Sequence, residues 1–134
     1  MNNKPFGYSY LLDAYDCKVG ACDDLELHYR FLEEAVYRLG MTAMTPPIVI
    51  HAPCEFKNGK RYELYPDKAG VSGWVGLITS GLQIHSCEEK RFSTIDIYSC
   101  NFFEKDKIRD FFVESFGCSK FEEHWVERGK LYNE

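Results

Sequence analysis

Apolar side chains recur at helical spacing over residues 25–39, where Leu25, Tyr29, Leu32, Val36 and Leu39 fall on one face. Asp23 or Asp24 can cap this first helix, and Gly40 suits the position just past its end. A second helix is predicted over 105–116, with Ile108, Phe111, Phe112 and Phe116 on one face and Gly117 behind it. The remaining patterns are those of strands. Residues 8–15 are mostly aromatic and aliphatic, and 48–50 form a short β-branched run after Pro46-Pro47. Residues 74–78, 82–86 and 92–100 read as three consecutive strands, and a last strand falls within 120–127. Asn58-Gly59, between Phe56 and Tyr62 in the polar segment 55–68, favours a hairpin turn.

The order β-α-β-β-β-β-α-β predicts an α+β fold: a two-layer sandwich of an antiparallel sheet with two helices on one face. With no repeat or linker, 1–134 reads as a single domain. Strand periodicity adds a directional statement. Leu82 and Ile84 share one face of their strand, and Gln83 and His85 share the other. In the next strand Ile95 and Ile97 point one way, while Thr94, Asp96, Tyr98 and Cys100 point the other. If the aliphatic residues face the helices, His85 and Cys100 emerge together on the opposite, polar face. A shared site there is geometrically allowed.

Charge and composition narrow the partners. A net charge of −5 with no basic run argues against a nucleic-acid or anionic-membrane surface. An acidic chain better suits a small cationic substrate. No apolar stretch approaches the ~20 residues that span a bilayer, and residues 1–5 lack the apolar core of a signal peptide. A cytoplasmic location is expected, and the six cysteines are expected to be reduced thiols. The pairs Cys17/Cys22, His51/Cys54 and His85/Cys87 sit on dissimilar elements, so no zinc site is expected.

The chemistry resides in Thr79-Ser80-Gly81, His85 and Cys100. Taken singly these residues have ordinary readings: a tight turn at Ser80-Gly81, a structural histidine, a buried thiol. Ser72, eight residues before Ser80, joins them in a series that spans residues 70–101. That stretch, including Ile95-Asp96-Ile97-Tyr98-Ser99-Cys100, resembles the pyruvoyl-dependent S-adenosylmethionine decarboxylases of bacteria and archaea. The run 122–129, Glu-Glu-His-Trp-Val-Glu-Arg-Gly, echoes that family's closing strand.

The resemblance implies a proenzyme that cuts itself between Thr79 and Ser80, into 1–79 and 80–134. Ser80 becomes a pyruvoyl group, which forms a Schiff base with the substrate amine and acts as electron sink when carbon dioxide leaves. It further implies that His85 moves protons during processing, that Ser72 assists, that Cys100 is a proton donor and that Glu89 contacts substrate. A homodimer in which each protomer contributes to the sites is also implied, acting in spermidine synthesis. The chain departs from the family where Thr79 and Gly81 replace the usual glutamate and histidine around the serine. It departs again where Ser86-Cys87-Glu88-Glu89 replaces Thr-Trp-Pro-Glu. These departures leave two alternatives open: decarboxylation of another amino acid, such as ornithine or arginine, and a non-processing binding or regulatory homologue. Phe56, Tyr62 and Tyr65 are candidates for stacking on substrate.

Overall fold

The computed structural model describes residues 4–64 and 69–133. Strand β1 (Gly7–Tyr15) leads through a single 3₁₀ turn (Ala21–Asp23) into helix α1 (Leu25–Arg38). Strands β2 (Ile48–Ala52), β3 (Cys54–Lys57), β4 (Lys60–Glu63), β5 (Gly70–Leu77), β6 (Ser80–Cys87) and β7 (Phe92–Ser99) follow, then helix α2 (Lys105–Phe116) and strand β8 (Lys120–Arg128). Six strands form one sheet in the order β2-β5-β6-β7-β1-β8, each pair antiparallel. The expected two-layer α+β sandwich is present, with β3 and β4 set apart as a two-stranded sheet.

Local chemistry accounts for the elements. Asp24 caps α1, its carboxylate accepting from the Leu27 N–H at 3.0 Å. Gly117 ends α2 in the left-handed conformation, φ 63°, and its N–H closes on the Val113 carbonyl at 2.8 Å. Asn58 and Gly59, both at positive φ, make the β3–β4 turn of the kind their sequence favours. Phe56 and Tyr62 on that hairpin are exposed; Tyr65 lies outside the described residues.

The core lies between the helices and one face of the sheet. Tyr10, Leu12, Leu82, Ile84, Ile95 and Ile97 present that face, and Phe31, Leu32, Ile108, Phe112 and Phe116 come down on it from the helices. At Gly73 the approach is so close that a Cβ would meet Leu32 Cδ1 at 2.8 Å and Val49 Cγ1 at 2.9 Å. Among the described residues no layer covers the other face of the sheet. Across it run the rows Ser72–His85–Thr94–Asp13 and Trp74–Gln83–Asp96–Leu11, fixed by the strand register. Among the described residues no helix is long and apolar enough to cross a membrane.

Candidate active site

Strands β5 and β6 form a hairpin in which Leu77 pairs with Ser80, leaving Ile78 and Thr79 as a two-residue turn. Ser80-Gly81 is therefore paired strand, and the turn precedes it. Two-residue hairpin loops favour turns with a left-handed first residue, yet neither Ile78 nor Thr79 has positive φ. Contacts from outside the hairpin hold this turn. The Ile78 N–H donates to the Thr42 carbonyl at 3.1 Å, and the Thr79 carbonyl accepts from the Cys100 N–H at 3.1 Å. The Cys100 thiol donates to the same oxygen at 3.0 Å. Two donors on one carbonyl withdraw charge from its carbon and favour attack there, the arrangement that stabilises an oxyanion.

The Ser80 hydroxyl lies 3.3 Å from the Thr79 hydroxyl and donates to Ser99 Oγ at 2.7 Å. Asn101 closes the group. Its N–H donates to Ser99 Oγ at 2.9 Å, and its side-chain amide donates to Thr79 Oγ1 at 3.0 Å. Ser99 and Asn101 were not singled out by the sequence pattern. The signal was present for Ser99, since antiparallel pairing of the two predicted strands brings it opposite Ser80.

A second group lies further along the sheet. Ser72 and His85 are register partners on the open face, and Ser72 Oγ shares a hydrogen bond of 2.6 Å with His85 Nδ1. Burial holds the His85 imidazole below its ordinary pKa, so the ring is neutral near pH 7 and able to accept a proton. Beneath it, on the helix side, His28 is fully buried. Its Nδ1 is 2.7 Å from the Asp24 carbonyl, which can only accept, so Nδ1 carries the proton. His28 Nε2 then accepts from Ser86 Oγ at 2.7 Å, and Ser86 in turn accepts from Ser93 Oγ at 2.8 Å.

Within one chain the predicted residues thus fall into two groups. Thr79, Ser80 and Cys100 meet at the hairpin rim; Ser72 and His85 meet in the middle of the open face. His85 is five residues along β6 from Ser80, roughly 16 Å at strand rise, and on the opposite face. Cys100 is six residues beyond Thr94, the partner of His85, roughly 20 Å along the next strand. The shared face expected for His85 and Cys100 does not become a shared site in a single chain. Glu89 lies exposed in the turn after β6, at the far end of that strand from Ser80. Its neighbour Glu88 accepts from the Gly20 N–H at 2.5 Å.

Two hollows on the open face connect these groups. One, of about 590 Å³, lies against Thr79 and Ser80 and is walled by Trp74 and Tyr98. The other, of about 210 Å³, lies over His85 and Asp13. They share Gln83 and Asp96. Gly81 leaves the floor of the first hollow bare, since a Cβ there would meet nothing within 4 Å.

The profile of the family described as S-adenosylmethionine decarboxylase matches residues 8–129. The S-adenosylmethionine decarboxylase proenzyme of Thermosipho melanesiensis is 27% identical over 97 residues, which are 72% of this chain and 63% of that protein. The match therefore spans less than two thirds of that relative's length. The crystal structure of the adenosylmethionine decarboxylase from Aquifex aeolicus has the same fold, with a TM-score of 0.74 and 22% identity over 94% of this chain and 92% of that one. With both helices and all of the main sheet but Gly7 inside the matched span, the chain belongs to the S-adenosylmethionine decarboxylase family.

Proposed function

We propose that this protein cleaves its own chain between Thr79 and Ser80 and uses the pyruvoyl group derived from Ser80 to decarboxylate S-adenosylmethionine. The product would supply aminopropyl groups for spermidine synthesis in the cytoplasm. One observation carries the reading: the Thr79 carbonyl, at the bond before Ser80, accepts from both the Cys100 N–H and the Cys100 thiol.

Attack of Ser80 Oγ on the Thr79 carbonyl carbon forms an ester and breaks the peptide C–N bond, the proton passing to the freed amine. Loss of the Ser80 α-proton then expels the Thr79 carboxylate and leaves a dehydroalanine. Addition of water with release of ammonia gives the ketone. The pyruvoyl ketone supplies an electron sink for decarboxylation of a bound amine. In this scheme His85 moves the protons of processing, Ser72 orients its ring, and Cys100 returns a proton to the substrate carbon.

His85 cannot reach Ser80 of its own chain across roughly 16 Å of strand. The reading therefore includes a homodimer in which open sheet faces pack together, bringing Ser72 and His85 of one copy over the hairpin rim where Thr79 and Ser80 of the other line the open-face hollow. Exposed Trp74, Ile48 and Val126 on that face support such packing. Substrate would lie in the hollow against Ser80. The Asp96 carboxylate makes no ion pair among the described residues, and the Trp74 indole can receive a positive centre or a planar base. That combination suits a cationic substrate, and adenosylmethionine, with a sulfonium centre and a planar adenine, would use both features. Glu89, at the far end of β6, would reach substrate only from the partner copy.

Intact mass of the purified protein under denaturing conditions tests the first step. Fragments 1–79 and 80–134, the second bearing a pyruvoyl end, are expected. The Ser80→Ala variant should remain one chain and release no carbon dioxide from adenosylmethionine. A wild-type chain that stays whole on long incubation would sink the reading, and release from ornithine or arginine alone would reassign the substrate.

A further inference from the structure

Ser99 contacts the reactive serine, yet the scheme above gives it no part. It is fully buried on the helix-facing side of β7, in line with Ile95 and Ile97. A hydroxyl in such surroundings needs hydrogen-bond partners, and Ser99 finds them at the cleavage turn. Its oxygen accepts from Ser80 Oγ at 2.7 Å and from the Asn101 N–H at 2.9 Å.

We propose that Ser99 is a positioning residue for self-cleavage, holding the Ser80 hydroxyl beside the Thr79 carbonyl carbon, with Asn101 fixing both ends of the arrangement. This inference rests on the self-cleaving reading of Ser80. Hydroxyl chemistry separates positioning from proton removal. A hydroxyl oxygen has two acceptor sites, and on Ser99 both are filled, one of them by the Ser80 proton's own bond. A neutral hydroxyl is too weak a base to keep that proton, so Ser99 orients Ser80 and does not deprotonate it. The direction it imposes is toward Thr79, because the Ser80 oxygen lies 3.3 Å from Thr79 Oγ1. From the other side, the Asn101 amide holds that threonine hydroxyl at 3.0 Å. This chain carries Thr79 where its family usually has a glutamate, and the Thr79–Asn101 bond is how that residue is anchored here.

The test follows cleavage of the full-length chain by intact mass after a short pulse of cell-free synthesis. Ser99→Ala should slow the appearance of fragment 80–134 by about three- to tenfold, the effect of losing one neutral hydrogen bond. Ser99→Thr keeps the hydroxyl and should restore the wild-type rate. Hydroxylamine, which cuts esters, gives a readout that a merely structural role would not move. If Ser99 acts on ester formation, hydroxylamine-driven cleavage in folded Ser99→Ala should fall by the same factor as spontaneous cleavage. Wild-type rates in Ser99→Ala, failure of threonine to rescue, or undiminished hydroxylamine cleavage would each overturn the proposal. A wild-type chain that never cleaves removes the reading and the inference together, whereas a cleaving wild type with an equally fast Ser99→Ala removes only the inference.

Discussion

At the scale of residues, two histidines sit on either side of strand β6 and both are held neutral. Burial lowers the pKa of His28, against the opposing pull of the Asp24 carbonyl and carboxylate, and burial lowers that of His85. A histidine whose folded pKa is depressed contributes fully above its unfolded value of about 6.5, and that contribution is lost as the pH falls from there toward the folded value. The urea midpoint should therefore be level between pH 7 and 8 and fall below about pH 6.5. In His28→Gln the fall should be shallower. A wild-type midpoint unchanged down to pH 5 would show that burial of these rings carries no such linkage. The same neutrality suits His85 to accept a proton, and processing, which follows the folded-state titration, should begin to decline at a lower pH than stability does.

At the scale of elements, the aromatic seam between the helices sets the stability of the layer that backs the site. Phe31 of α1 stacks on Phe111 of α2 at 5.3 Å and meets Phe112 and Phe116 edge-on at 5.3 and 5.6 Å. Phe31→Ala should cost about 3–5 kcal/mol in chemical denaturation, and a loss under about 1 kcal/mol would mean that the seam collapses to fill the space. Both helices were legible in the sequence, because a 3.6-residue apolar period bounded by Asp24, Gly40 and Gly117 is local information. The Asn58-Gly59 turn was legible for the same reason. Strand β5 was less so. Its first residues include Gly70 and Gly73, which disfavour strand, and pairing with both β2 and β6 makes them strand. The turn at Ile78-Thr79 was obscured too, since it lacks the glycine or asparagine that marks a two-residue hairpin loop.

At the scale of the whole molecule, the candidate residues divide between the rim and the middle of one open face, and a second copy is the proposed means of joining them. Complementation tests this directly. Neither Ser80→Ala nor His85→Ala should cleave alone, whereas chains co-expressed with one substitution each should yield cleaved His85→Ala subunits. Cleavage by His85→Ala alone, or none in the mixture, would overturn the composite site. By itself the sequence determined the helices, the predicted faces of the central strands and the family, because these follow from short-range periodicity and from motif spacing. Only the tertiary structure decided that Cys100 and Ser99 meet Thr79 and Ser80 while His85 meets Ser72 elsewhere. Periodicity assigns a side chain to a face; strand register assigns its place along that face, and register is set by pairing between residues distant in the chain.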